Sequence, residues 1–511
     1  MKICFYLQRR FAYIGHTMMT VLKERYRVDD FCGYVSVREG YEFLRNQKDI
    51  AYSELILEED VLASFVSEPL DREYLNALEK EYGIPNLWPY LTADRIIRYN
   101  LHTRAYPADT SRYTHEEMMR MVQVTARAVI SFLEKEKPNV IVFSVVGSLS
   151  STLLYHIARK KGIKTLVIDS PRIGVKYFLS ERDDRSTFLE ETFAKAKADP
   201  SAIPEEYHRE ARAFLSEFQE KPSYFLKSSE ASTVVAKSMD VKRRGSLNFL
   251  SPKNTLRSLR FALRTVASYL ANRHKDDYST VKPWYELWDK LVRKVRTLWG
   301  YDDLYDTPVP GETYSFFALH SEPEAHPMVL APFYIDQLWV AKQIARSLPL
   351  SHKLYIKDHP VMVGFRPRSY YKELKKIPNM RLISPAVSSL ALMAESKLTL
   401  TVTGSAGWEA LLLKKPVITF GPINYSSLSG VKLCSDINCL PQLVKEQLER
   451  FSYNEGELLL FIASALLESV DADFVQLWEV EAGTQSEKNK ERLAPFVDLL
   501  AQKCGLARRT G

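Results

Sequence analysis

Hydrophobic and polar positions follow two patterns: strand–helix alternation in the first and last thirds of the chain, and helical spacing in the middle. Lys2–Leu7 is a short apolar run followed at once by Gln8-Arg9-Arg10. It predicts a buried first strand, because it is too short for a signal peptide and its charge lies on the wrong side. Gly15-His16 reads as the turn after it, with a helix beginning over Thr17–Lys23. A long helical pattern from about His115 stops near Lys137-Pro138. The β-branched strand Val140–Phe143, a helix over about 151–161, Gly162 as its stop and a strand Lys164–Ile168 follow. This order predicts βαβ units and a parallel sheet. Residues 40–115 read as mostly helical, with loops near Pro85 and Pro107. Asn139–Ala158 carries no Lys, Arg, Asp or Glu, and roughly 20 such residues suffice to cross a bilayer. It nevertheless divides into strand, Ser/Gly turn and helix, so no transmembrane span is expected.

From about Arg185 to Pro310 the strand signals fade. Between Lys237 and Arg296 stand 15 Lys and Arg against five Asp and Glu. Leu256, Leu259, Leu263, Val266 and Leu270 recur at three- and four-residue spacing, with Arg257, Arg260 and Arg264 beside them, which predicts a basic amphipathic helix. Such a helix either packs on its own domain with a solvated face or docks on an anionic membrane surface or a polyanionic acceptor.

From about Thr313 the alternation returns. Strands are expected at Tyr314–Leu319, Lys353–Lys357, Met380–Ile383, Leu398–Val402 and Val417–Phe420, and helices at Asp336–Leu348, Ser388–Glu395 and Trp408–Leu413, as in a doubly wound sheet. The last 70 or so residues read as helical. With 511 residues, more than one core is required. The expected division is an N-terminal α/β domain over 1–180, a helical basic region over 181–310, a second α/β domain over 311–440 and a helical tail over 441–511 that braces the two.

Hydrophobic content of 46% and charged content of 26% fit a soluble globular protein, and a net charge of +7 is modest for this length, so no nucleic-acid partner is implied. Five cysteines without metal-ligand spacing (Cys4, Cys32, Cys434, Cys439, Cys504) suit a reducing, cytoplasmic compartment.

Three segments after predicted strands of the second α/β domain carry candidate chemistry. In Leu398–Leu411 a strand runs into Gly404-Ser405-Ala406-Gly407 and a helix. Unpaired N–H groups at such a helix start attract phosphate, and Glu409, one turn in, can accept hydrogen bonds from ribose hydroxyls. The same turn also suits simple packing. Lys357-Asp358-His359-Pro360 places a cation and a histidine at a strand's carboxyl end, where open α/β sheets bind ligands, and Pro360 keeps His359 extended. His320-Ser321-Glu322-Pro323-Glu324 offers groups for acid/base work or acceptor binding. In the first domain, Arg9, Arg10 and Arg172 are candidates for an anionic acceptor and His16 for a base.

The order His-Ser-Glu-Pro-Glu, Lys-Asp-His-Pro, Gly-Ser-x-Gly-x-Glu-Ala-Leu and Lys-Pro-Val-Ile-x-Phe-Gly, over about residues 310–430, resembles the capsule polysaccharide biosynthesis family, which includes bacterial Kdo transferases. The resemblance implies a GT-B-like α/β fold: two Rossmann-like domains facing a cleft, here with a helical basic middle region and a helical C-terminal tail. It implies a glycosyltransferase that moves a sugar from a nucleotide-activated donor, CMP-Kdo among the candidates, to a surface polysaccharide or lipid-linked precursor. Lys357, His359, Pro360, Gly404, Ser405, Gly407 and Glu409 would hold the donor nucleotide, and His320 and Glu322 would face the reaction centre. No cofactor or metal is expected, since no His/Asp cluster has ligand spacing and no Asp-x-Asp pair suits a metal-bound diphosphate. The Lys-x-His-Pro and Ser-turn order is also similar to CDP-glycerol-dependent glycerophosphotransferases of teichoic-acid synthesis. Those carry an Asp in the turn, whereas Thr401–Ser405 has none. A nucleotide-sugar epimerase of similar fold is a further alternative. The expected location is the cytoplasm, at the inner face of the cell membrane if residues 237–296 contact anionic lipid.

Overall fold

Two sheets organise the chain in the computed structural model, which describes residues 1–99, 111–223, 251–472, 474, 477 and 487–508. In the first, strands β1 (Lys2–Leu7), β2 (Asp30–Val35), β3 (Tyr52–Leu57), β4 (Val140–Phe143) and β5 (Lys164–Asp169) run parallel in the order β3-β2-β1-β4-β5, and β6 (Lys176–Ser180) joins β5 antiparallel. The second is wholly parallel: β7 (Tyr314–Ala318), β8 (Lys353–Lys357), β9 (Met380–Ile383), β10 (Leu398–Thr401), β11 (Val417–Thr419) and β12 (Val431–Leu433), in the order β9-β8-β7-β10-β11-β12. A final short strand, β13 (Val470–Asp471), returns to the edge of the first sheet beside β6. Both sheets have the doubly wound order, whose direction reverses between β1 and β4 in one and between β7 and β10 in the other. Ligands of such sheets bind at the carboxyl side of that reversal. Strands such as β4 and β10 are buried along their whole length because helices cover both faces.

Three local readings differ from the sequence expectation. The helix after β1 spans Phe11–Tyr26, so Gly15 and His16 lie inside it and not in a turn. The chain reverses within Gln8–Arg10, with Arg9 at φ 47° and the Phe11 N–H donating to the Gln8 carbonyl. Gly15 serves helix–strand contact, since a Cβ there would stand 2.5 Å from Leu7 Cδ2. Residues 40–115 contain β3, a half-exposed edge strand whose Ser53 and Glu54 mask its apolar positions. The helix after β10 starts at Ser405, not Trp408, which puts Ala406 and Gly407 in its first turn.

The middle region is divided between neighbours. Helices Thr187–Ala198 and Glu205–Glu220 pack on Glu455–Leu467 beside the second sheet, with Phe193 edge-on to Phe461 at 5.3 Å. Tyr278 enters the core of the first unit. Helix Glu487–Lys503 lays Leu493, Phe496, Val497 and Leu500 against Ile3, Phe5 and Leu22 of the first unit. Of the basic stretch, residues 237–250 lie outside the described residues. The remainder forms helices Pro252–Ala271 and Pro283–Trp299. Among the described residues no helix is long and apolar enough to cross a membrane.

Candidate functional site

At the reversal point of the second sheet, His320 follows β7 and reaches beneath the loop after β10. Its Nε2 accepts from the Val402 N–H at 3.2 Å, so Nδ1 carries the proton and donates to Glu324 Oε2 at 3.2 Å. The Thr401 hydroxyl approaches the same Nε2 at 3.2 Å and accepts from the Gly404 N–H at 3.1 Å. His320 is buried and holds the turn from inside. Gly404 is fixed by this packing: a Cβ there would stand 2.6 Å from Thr401 Oγ1 and 2.9 Å from His320 Cε1. Gly407 admits the Tyr425 ring, whose hydroxyl would lie 2.3 Å from an added Cβ and donates to the Gly404 carbonyl at 2.5 Å. Gly407 therefore supports the turn from behind and does not itself clear a path to a ligand. Gly404 has no side chain to cap the helix, so among the described residues the N–H groups from Ser405 onward form an uncapped helix start.

Glu322 is not free for proton transfer. The fully buried Arg366 donates to Glu322 Oε2 from Nε at 3.2 Å and from Nη2 at 2.7 Å. It also donates to Asp358 and, at 2.7 Å, to the His320 carbonyl. Asp358 further accepts from the Tyr371 hydroxyl. This buried network ties the loop after β7 to the loop after β8. Glu324 is the carboxylate of that loop that opens to solvent. Burial acts to raise its pKa, but the hydrogen bond from His320 and the fields of His320, His326 and His359 outweigh it and hold the carboxyl below its ordinary range.

The donor candidates meet along the same edge. Lys357 ends β8 and is buried, and desolvation lowers its pKa to about 8 against the fields of Asp358 and Glu409. His359 is lowered to about 4, chiefly by desolvation, and is neutral at physiological pH. Its Nδ1 accepts from the Val361 N–H at 3.3 Å, which leaves the proton on Nε2 as a donor. Pro360 opens the short helical turn that supplies Val361. Glu409 is buried, and desolvation raises its pKa to about 7, opposed by the charges of Arg172 and Lys357. Among the described residues neither Lys357 Nζ nor the Glu409 carboxylate has a hydrogen-bond or ion-pair partner.

Arg172 comes from the first unit. It has φ 62°, lies 5.7 Å over the Tyr425 ring and, among the described residues, leaves its buried Nη1 without a hydrogen-bond partner. The Asn424 amide donates to the Ser170 carbonyl at 2.7 Å, so the carboxyl edges of the two sheets face one another here. The crevice between them is lined by Asp169, Arg172, Asp183, His326 and Asn424, among others. Burial, together with the charges of Asp169 and Asp184, raises the Asp183 carboxyl to about 7.

Other candidates of the first unit lie elsewhere. His16 is buried, with Nδ1 2.6 Å from the Tyr52 hydroxyl and Nε2 3.1 Å from Asp49. Asp49 precedes β3 and so lies at the amino edge of the sheet, away from the cleft, which removes His16 as a base. Arg9 and Arg10 are exposed, and Arg9 lines a small recess at the carboxyl ends of β1–β4. Among the described residues no group of three or more His, Cys, Asp or Glu is placed to hold a metal ion.

This arrangement falls in a stretch with known relatives. Residues 336–436 match the capsule polysaccharide biosynthesis protein family. The resemblance read from the motifs is upheld there. The matched stretch holds Lys357, His359, Gly404, Ser405 and Glu409, while His320, Glu322, Arg172 and Asp183 lie outside it. No curated protein matches the chain. Among solved structures, the chain is similar to Thermosulfurimonas dismutans KpsC, beta Kdo 2,7 transferase, at 13% identity and TM-score 0.30, over 72% of this chain and 89% of that one. The beta Kdo 2,4 transferase of the same KpsC gives 14% and 0.29 over 67% and 84%. The UDP-GlcNAc 2-epimerase from Methanocaldococcus jannaschii gives 13% and 0.24 over 91% and 99%. Superpositions this loose decide no chemistry.

Sequence reasoning missed Arg366, Tyr425 and Asp183. Tyr425 follows β11, and the rule that ligands gather at carboxyl ends would have found it. Arg366 stands in Gly364-Phe365-Arg366-Pro367, which carries no motif, and Asp183 lies in a charged turn indistinguishable from a solvated one.

Proposed function

We propose that this protein is a metal-independent glycosyltransferase that takes a nucleotide-activated sugar as donor and a surface polysaccharide or its lipid-linked precursor as acceptor. The observation that carries the reading is the set Lys357, Glu409 and Arg172: charged groups drawn from two units, near enough to shift one another's titration, yet without a direct ion pair. Buried charges left unpaired are costly and are characteristic of sites that await a charged ligand. In this reading Glu409 accepts from the ribose hydroxyls, and the uncapped helix start at Ser405 takes the phosphate with Lys357 and Arg172. His359 Nε2–H donates to the leaving oxygen. As the bond between the sugar and the phosphate breaks and the acceptor oxygen bonds the sugar, the acceptor proton passes to Asp183. Its carboxyl, at about 7, is matched to neutral pH and faces the crevice from the first unit. A cytoplasmic location accords with five free cysteines.

A thermal-shift screen of CMP, CDP, UDP and GDP tests the reading, since a ligand that binds the native state raises Tm. One nucleotide is expected to stabilise the wild type and not the Glu409→Ala variant. Donor incubated without acceptor and followed by NMR is expected to stay unchanged. Its conversion to an epimer would overturn transferase chemistry.

A further inference from the structure

We infer that helices Pro252–Ala271 and Pro283–Trp299 form a docking surface for an anionic lipid bilayer. Each helix carries one apolar stripe at helical spacing, Leu256, Leu259, Leu263, Val266 and Leu270 on the first and Trp284, Trp288, Leu291, Val295 and Trp299 on the second. Among the described residues nothing covers either stripe. Leu263 is 62% exposed and Leu270 72%, while Trp284, Trp288 and Trp299 are 54%, 64% and 71% exposed. The first helix has no buried residue at all. Contiguous apolar surface of this extent marks a docking site.

Charge selects the occupant. Residues 251–299 hold eleven Lys and Arg against four Asp and Glu, an excess equal to the net charge of the whole protein, +7. Three of the four acids are engaged within the protein, Asp277 by Arg38, Glu286 by Lys290 and Asp289 by Arg293. Arg257, Arg260 and Arg264 flank the exposed leucines. A protein partner of ordinary composition would match the apolar stripes but not this density of positive charge. A bilayer with acidic headgroups matches both, because arginine and lysine keep their heads at the phosphate level while tryptophan occupies the boundary between headgroups and chains.

The surface is fixed to the site. Arg293 lies 4.5 Å over the Phe365 ring, and a Cβ on Gly364 would stand 2.6 Å from Thr297 Oγ1, so the second helix is seated on the segment that follows His359-Pro360. Docking would therefore hold one lip of the cleft near the headgroups, where a lipid-linked acceptor presents itself. The surface itself stands on the helices alone and does not depend on the transfer reading.

Flotation of the full chain with vesicles tests it. Phosphatidylcholine vesicles containing phosphatidylglycerol are expected to carry the protein at least about tenfold more strongly than pure phosphatidylcholine vesicles, and high salt should weaken the binding. Leu263→Glu with Trp288→Glu is expected to abolish flotation, and so is Arg257→Gln with Arg260→Gln and Arg264→Gln. Leu350→Glu, on an exposed loop away from both helices, is expected to leave it unchanged. An unchanged circular-dichroism spectrum and a cooperative thermal melt near the wild-type Tm report that each variant is folded. Absence of flotation with acidic vesicles, or equal flotation with neutral ones, would overturn the inference. So would a wild-type dimer that the Leu263/Trp288 variant dissociates, since a second copy would then be what covers the stripes.

Discussion

The carboxylate of Glu409, in the helix after β10, lies within the field of the Arg172 guanidinium from the opposite unit, and no ion pair closes between them. The gap is maintained by scaffolding on each side. His320 and Tyr425 hold the turn that carries Glu409, and the left-handed backbone of Arg172, with Asn424 bonded to the Ser170 carbonyl, holds the other side. A bound nucleotide would complete the charge pattern.

Nucleotide affinity is expected to peak between about pH 7 and 8. Glu409 must lose its proton to accept two hydroxyls, so affinity rises as pH climbs through its raised value of about 7. Lys357 loses its charge as pH passes about 8, and affinity falls again. Calorimetric Kd values across this range check it. Glu409→Gln should remove the lower limb and weaken binding roughly ten- to a hundredfold, the worth of a charge-assisted hydrogen bond. In the empty protein the raised carboxyl has the opposite consequence for stability. The folded chain keeps a proton that the unfolded chain has released, so stability declines from the ordinary value of 4.5 up to about 7, and Glu409→Gln should flatten that decline.

Asp183→Asn is expected to lower kcat by about 10²- to 10⁴-fold, the usual contribution of a positioned base, and to leave the nucleotide Kd unchanged. The pH–rate profile of the wild type should show an ascending limb near the raised value of about 7. A variant with undiminished kcat would remove Asp183 from the reaction.

Arg366→Met is expected to destabilise the protein by about 3–5 kcal/mol, because it strands Asp358 and Glu322 as buried or half-buried carboxylates without a counter-charge. Urea unfolding measures the loss. Replacement of all three by apolar residues of similar volume should recover much of the stability but not activity, since the loops after β7 and β8 would lose their tether.

Gly407→Ala is expected to cost about 1–3 kcal/mol through overpacking against Tyr425, whose hydroxyl occupies the space of the new methyl group. It should also weaken nucleotide binding, since Tyr425 would release the Gly404 carbonyl. Combination with Tyr425→Phe, which removes the colliding atom, should restore part of the stability. Thermal melts of the single and double variants check both statements.

The alternation of the second unit was legible because its strands are short, apolar and regularly spaced. Those from Tyr314 to Thr419 lie where the pattern put them, and the motif residues fall at their carboxyl ends. Gly15 and Gly407 misled for one physical reason. Each is a glycine required by close packing inside a helix, and a single sequence gives no means of telling that from a glycine required by a turn. Glu322 and His320 have the composition of an acid/base pair, but their partners, Arg366 and the Val402 N–H, are distant in sequence, and only the fold reveals that the pair is already engaged. His16 shows the same limit, because its distance from the cleft follows from a helix that begins six residues earlier than the pattern suggests. Arg172 was legible as a cleft residue, but its proximity to Glu409 depends on how two units approach, which no local pattern encodes.

The helix Glu487–Lys503 supplies part of the first unit's core, against residues as early as Ile3 and Phe5. On the ribosome, then, the opening strand and its helix emerge long before their covering is made, and that face must stay wet, or be held by a chaperone, until the helix Glu487–Lys503 has been translated. Folding of the amino-terminal unit is thereby tied to the arrival of a helix more than four hundred residues downstream, and a stop placed before that helix would spoil the unit that was made first.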